Sequence, residues 1–173
     1  VHFLEKVWSN RQFAGGNNRL MRGTSDSNLN VLWRKTVLAV HGNKCFFCEA
    51  DVNHYEIECH HWAAKRKIYL LRWDWRNGIP VCKWANDRGT QLSMSCHQFA
   101  ETLQGRTMIS DHMKIFHKYL YERNVSAKQW LVEHGMTKKD FKELMYKDLS
   151  VTWGICESYR KDGKKITLGA LNA

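Results

Sequence analysis

The chain has 173 residues, 43% of them hydrophobic, with eight tryptophans, and its 27 Lys and Arg outweigh 17 Asp and Glu to give a formal net charge of +10. That length bounds it to one domain, or one domain with an appendage, and the apolar content excludes a disordered polymer. No apolar stretch approaches the ~20 residues that a membrane-spanning helix needs, and so positive a charge points to a polyanion as partner, nucleic acid being the commonest.

In chain order, residues 1–13 read as one amphipathic helix, and the Gly15-Gly16-Asn17-Asn18 and Gly23-Thr24-Ser25 stretches after it as loop. The opening Val1-His2-Phe3-Leu4-Glu5-Lys6 lacks the basic-then-apolar order of a signal peptide. Residues 28–41 place Leu29, Leu32, Val37 and Leu38 at helical spacing, and Gly42 ends the pattern. That helix leads into Cys45-Phe46-Phe47-Cys48, a turn with two thiols. Residues 51–62 alternate as a strand would, 63–67 form a basic turn, and 68–73 make a second short apolar run. The single proline stands in Asn77-Gly78-Ile79-Pro80-Val81-Cys82, and the polar residues 83–95 read as loop. A helix is expected from Cys96 through Phe99, Leu103 and Gln104 to Gly105. The C-terminal third is expected to be helical in three pieces. Ser110 or Asp111 would cap the first and Ser126 the second, which Gly135 stops. Thr137 would cap the third, with Phe141, Leu144, Met145 and Leu149 on one face. After Trp153 comes a weakly patterned basic tail with Arg160, Lys161, Lys164 and Lys165.

Two sets of residues carry chemistry. Cys45 and Cys48, with Cys82 and Cys96, can supply four thiolates. Zinc prefers a tetrahedral shell of thiolate and imidazole, and two ligands from one tight turn lower the entropy cost of assembly. The first pair has standard spacing, whereas thirteen residues separate Cys82 from Cys96. Thiols spaced for a metal rather than for disulfides suit a reducing, intracellular compartment, and a cytoplasmic protein is expected. Cys59 is expected to face the core from its strand, and Cys156 to be structural.

The second set is the histidines. His60 and His61 are adjacent, and His97 follows Cys96. Imidazole is the side chain whose ordinary pKa suits a base near neutrality, and a hydrolytic metal needs a few nitrogen or oxygen ligands with positions left for phosphate oxygens. Adjacent residues on a regular strand point to opposite faces, so the pair can share a site only at an irregular strand end. Asn77, three residues after Asp74, reads either as a plain turn residue before Gly78 or as an amide that holds a catalytic loop by backbone hydrogen bonds.

Taken together, Cys-x2-Cys, His-His, Asn-Gly-Ile-Pro-Val-Cys and Cys-His resemble the HNH endonucleases over roughly residues 30–104. The run Leu32-Trp33-Arg34-Lys35-Thr36-Val37-Leu38 and the run Arg72-Trp73-Asp74 before Asn77 are similar to phage-type members. More distantly, the chain is similar to the phage NinG-type recombination nucleases. The resemblance implies an α+β fold, a ββα-metal finger with a zinc-knuckle staple flanked by N- and C-terminal helices. In domain terms it implies an extension over 1–29, a nuclease core over 30–108 and a DNA-binding helical region over 109–173. It implies that His60 and His97 hold a catalytic divalent metal, Mg²⁺ or Mn²⁺, that His61 is the base that deprotonates water, and that Asn77 orients the base-bearing loop. Glu101, one helical turn after His97, could reach the same metal. If the last helix instead begins at Lys83, Asn86 takes the last metal position.

The expected activity is phosphodiester hydrolysis on DNA by a monomer, one strand nicked per active site, with Lys65, Arg66, Lys67, Arg72 and Arg76 on the DNA. A phage protein acting inside a host cell would fit the resemblance. Two rival readings stay open. One is a nuclease for branched DNA in recombination, and the other a non-catalytic zinc module that binds nucleic acid and has no use for paired histidines.

Overall fold

The computed structural model describes residues 25–51, 56–63, 69–83, 94–166 and 171. The predicted helix over 1–13, Lys65, Arg66, Lys67 and Asn86 lie outside the described residues.

Helix α1 runs Asp26–Val40, and the Ser25 side chain caps it by accepting from the Asn28 N–H. It stops where expected, because Gly42 takes φ +65°, a left-handed conformation that costs glycine little. Its apolar stripe, Leu29, Trp33 and Val37, is buried. The Cys45–Cys48 turn follows, closed by a bridge between Lys44 and Asp51.

Two short strands form an antiparallel pair, β1 Ile57–His61 and β2 Gly78–Cys82, with His60 opposite Ile79 and His61 opposite Gly78. Pro80 is tolerated in β2 because a two-stranded sheet has edges on which no ladder N–H is needed. The apolar run at 68–73 is described from Tyr69 on. It forms a 3₁₀ turn at Tyr69–Leu71, and a second one, Trp75–Asn77, feeds β2. Asp74 caps this second turn and is buried with Arg76, its carboxylate 3.2 Å from the guanidinium. Gly78 is required by packing: a Cβ there would lie 2.5 Å from Val37 and 2.7 Å from Trp33. β2 therefore sits directly on α1.

After β2 the chain returns as a short helix, α2 Cys96–Glu101, with a Ser95/Gln98 capping box. The expected run to Gly105 is broken at Thr102, which adopts extended backbone (φ −71°, ψ 161°). Gly105 is not a stop signal. It lies inside helix α3, Leu103–Glu133, where a Cβ would meet the Phe99 carbonyl oxygen at 2.0 Å. The predicted breaks at Ser110, Asp111 and Ser126 do not occur either. Each can be accommodated inside a helix, and α3 runs on for 31 residues until Gly135 turns the chain at φ +57°. Thr137 and Asp140 form a capping box for α4, Lys138–Lys161, so much of the expected tail is helical.

Phe141, Met145 and Leu149 of α4 join Leu29, Trp33 and Val37 of α1 in one core, with Trp73, Trp75 and Leu131. The Thr36 hydroxyl spans the two helices, lying 3.4 Å from the Leu149 carbonyl. A second core contains Cys45, Cys82 and Cys96 among Ile57, Ile79, Val81, Ala100 and Met113. Among the described residues, no helix is long and apolar enough to cross a membrane.

Candidate metal centres and cleft

The first site is built from three elements. The Cys45–Cys48 turn, the end of β2 and the start of α2 bring Cys45, Cys48, Cys82 and Cys96 together, with sulfurs all within 4.8 Å of one another. Cys48 Sγ and Cys82 Sγ are 3.5 Å apart. Zn–S bonds of ~2.3 Å in a tetrahedron put sulfurs about 3.8 Å apart, so the donor set fits zinc. The surroundings also prepare a thiolate. Cys45 is held down to about 5, first by a hydrogen bond from Cys96 and then by the backbone N–H groups of Cys48, Cys82 and Phe47, against the opposing effect of burial. Burial and then nearness to Cys45 push Cys82 up, and the hydrogen bond with Cys45 and then burial push Cys96 up, so without a cation the cluster cannot carry every charge at once. Outside the cluster, Cys59 is half-buried and pushed up by burial to about 12, and Cys156 is buried and raised to about 11.

The second site is the group His60, His97 and Glu101, whose ligand atoms also lie within 4.8 Å of one another. His60 comes from β1, and His97 and Glu101 from one face of α2, four residues apart. His60 Nδ1 is 3.6 Å from Glu101, and the His60 and His97 rings are 5.6 Å apart. Burial lowers the His60 pKa, with Glu101 opposing, which favours the neutral ring, the form in which imidazole binds a metal. Glu101 is held below the usual carboxylate range, first by its hydrogen bond with Arg106 at 2.7 Å. Two nitrogens and one carboxylate are a donor set that a divalent metal can use with positions left open. The α2 helix thus delivers Cys96 to the thiols and His97 to the imidazole cluster.

His61 does not join that group. The strand stays regular, so the side chains alternate and no irregular strand end is needed. The His61 ring stacks on Trp33 at 4.0 Å and 14°, and its Nε2 is 2.9 Å from the Arg72 carbonyl. A carbonyl only accepts, so Nε2 carries the proton and the lone pair is on Nδ1. His60 and His61 nonetheless line one cleft of about 1030 Å³, together with His97, Glu101, Glu58 and Arg34. Asn77 is fully buried. Its Oδ1 accepts from the Ala63 N–H at 2.9 Å, and its Nδ2 donates to the Ala63 carbonyl at 3.3 Å. The amide therefore pins the chain two residues past His61.

Arg72 and Arg76 are not the phosphate contacts expected of them. Arg76 is buried, paired with Asp74 and laid over Trp75 at 4.3 Å. Arg72 is largely covered, pairs with Asp26 and lies over Trp73 at 4.0 Å. Taking a buried guanidinium from its carboxylate to reach DNA would strand a charge, which costs about 3–5 kcal/mol.

The sequence reading passed over Glu58, whose carboxylate lies 3.4 Å from His97 Nδ1. The signal was present, because Glu58 and His60 are two apart on β1 and so share a face. Arg106, His117 and Tyr121, also on the cleft, had no such signal, because only the unbroken α3 brings them there. In comparisons with known proteins, no family model, no curated protein and no solved structure matches this chain.

Proposed function

We propose that this chain is a zinc-stapled, metal-dependent DNA endonuclease of the HNH kind, with β1, β2 and α2 as its ββα-metal finger. The observation that carries the reading is the His60, His97 and Glu101 cluster in the same cleft as His61. His60 and His97, with Glu101, hold the catalytic divalent metal, Mg²⁺ or Mn²⁺. When bound, that metal supplies a Lewis acid for the charge that develops on the phosphate. His61 takes the proton from the attacking water on Nδ1. The Arg72 carbonyl fixes its tautomer and the Trp33 face fixes its plane. Asn77 holds the loop that follows the base. The four cysteines hold zinc, whose binding energy is folding energy in such a knuckle. A monomer with one such finger nicks one strand.

The thiol cluster and the net charge of +10 also suit a non-catalytic nucleic-acid-binding module. That reading leaves two half-buried histidines and a carboxylate converging without a purpose. Supercoiled plasmid separates the two. With Mg²⁺ or Mn²⁺ the protein should convert it to nicked circles, and EDTA should stop the reaction. Plasmid that stays supercoiled with either metal, in the presence of folded, zinc-loaded protein, would leave the binding module as the better reading.

A further inference from the structure

The cleft has a second wall that the hydrolytic reading does not use. Trp62 follows the base on the chain, and its indole N–H donates to the Arg76 carbonyl at 2.9 Å, which fixes the plane of the ring. Across from it, α3 presents His117 and Tyr121, one helical turn apart. The rings are in successive tilted contact, Trp62 with His117 at 5.4 Å and 42°, and His117 with Tyr121 at 4.8 Å and 47°. His117 is exposed, Trp62 and Tyr121 are half-buried, and all three border the same cleft as His60, His97 and Glu101. Arg106 stands on the same face of α3, beside Glu101.

We infer that this aromatic wall is a stacking platform for an unpaired nucleobase, so the preferred substrate is DNA with an unpaired nucleotide beside the scissile phosphate, as at a gap, flap or junction. The inference rests on the proposed nuclease reading for the position of that phosphate. The chemistry follows from what each ligand can offer. In an intact duplex every base face is covered by its neighbours, and only the edges are open in the grooves. Rings lying beside a phosphate-handling centre have nothing to stack on there. An unstacked nucleotide offers both a phosphodiester and an open π-face, and stacking on aromatic side chains accepts any base. The two walls of the cleft match those two parts of one nucleotide.

The test measures binding by zinc-loaded protein with Mg²⁺ and Mn²⁺ left out and no chelator added, so that hydrolysis does not intervene and the thiol cluster keeps its metal, using an intact duplex and the same sequence with a short gap carrying 2-aminopurine as the unpaired base. Gapped DNA should bind more tightly, and the 2-aminopurine fluorescence should be quenched. Tyr121→Ala and the exposed His117→Ala, each checked for an unchanged fold by circular dichroism, should weaken gapped-DNA binding about five- to a hundredfold. Their duplex binding should be unchanged, and Tyr121→Phe should behave as wild type. Equal affinity for the two DNAs, or equal losses on both in the two alanine variants, would overturn the platform. Cleavage with Mn²⁺ is scored separately. Discrimination without cleavage keeps the platform and removes the nuclease reading, whereas cleavage without discrimination does the reverse.

Discussion

At the scale of single residues, adjacent histidines differ in what their surroundings make of them. Burial, with His97 and Arg106, lowers the His60 pKa against the opposing Glu101, while a carbonyl and an indole face hold His61 in place. The variants should therefore fail differently. His61→Ala should fold, keep its zinc and bind DNA, yet cut at least about a hundredfold more slowly, as expected for loss of a general base. His60→Ala should lose activity through weaker metal binding, and excess Mn²⁺ should restore part of it but none of the His61→Ala loss. Plasmid nicking across a Mn²⁺ titration distinguishes these, and normal cutting by both variants would sink the assignment. His41 makes a separate prediction. Burial lowers its pKa to about 4, aided by His112 and opposed by a hydrogen bond at Gly78. From about 6.5 down to about 4 the unfolded chain binds a proton that the folded chain refuses. Stability therefore rises with pH through that window and falls as the pH drops, by up to about 3 kcal/mol for this group. His60, also lowered, contributes with the same sign. Urea midpoints should fall from pH 7 to pH 5, and His41→Asn should shrink that difference.

At the scale of elements, the junction of α2 and α3 decides how the imidazole cluster is held. The chain turns at Thr102, and α3 passes so close to Phe99 that only glycine fits at 105. Gly105→Ala should cost at least about 1–3 kcal/mol, the range for forced overpacking, whereas Gly154→Ala, with nothing within 4 Å of its Cβ, should stabilise α4 by about 0.5–1 kcal/mol. Thermal or urea unfolding of the two variants gives the comparison. If both shift the same way, the close approach is not what Gly105 serves. The turn, β2 and α2 also meet at the thiols, so Cys45→Ser should yield zinc-depleted, poorly soluble protein. Cys156→Ser, away from the cluster, should keep its zinc. Elemental analysis finding no zinc in well-folded wild type would end the zinc reading.

At the scale of the whole molecule, the charge of +10 is what a phosphate backbone would meet first. The two inner arginines pair with Asp26 and Asp74, so a phosphate grip would fall to other cations. Lys161 and Arg160 end α4, and Arg160 pairs with Glu157 at 2.8 Å, a surface contact worth little. Log affinity for DNA should fall linearly with log salt, by about 0.9 per phosphate contacted. Neutralising Lys161, Lys164 and Lys165 together should flatten the slope by at most about three contacts' worth. Affinity that ignores salt would mean that the charge serves another purpose.

What could be read from the chain alone was local. The caps at Thr137 and Gly135, the stop at Gly42, the Cys45–Cys48 turn and the His60-His61 pair are each set by neighbours in sequence, whose backbone preferences and ligand spacings act over a few residues. The grouping of Cys45, Cys48, Cys82 and Cys96 was also legible, from the kind and number of donors, and the structure brings the four together, but the contacts that do so were beyond that reach. Whether Cys82 and Cys96 meet Cys45 depends on β2 pairing with β1 and on α2 docking against that pair. Ser110 and Ser126 look like caps, but α3 runs through both, because buried Ile109, Met113, Leu120 and Ala127 reward one unbroken helix more than local capping rewards a break. Arg72 and Arg76 are basic residues in a basic stretch, and only packing on Trp73 and Trp75, beside Asp26 and Asp74, turned them inward. Spacing along the chain decided which ligands were on offer. The tertiary structure decided which of them share a cleft, because that depends on contacts between residues far apart in sequence, to which no local preference responds.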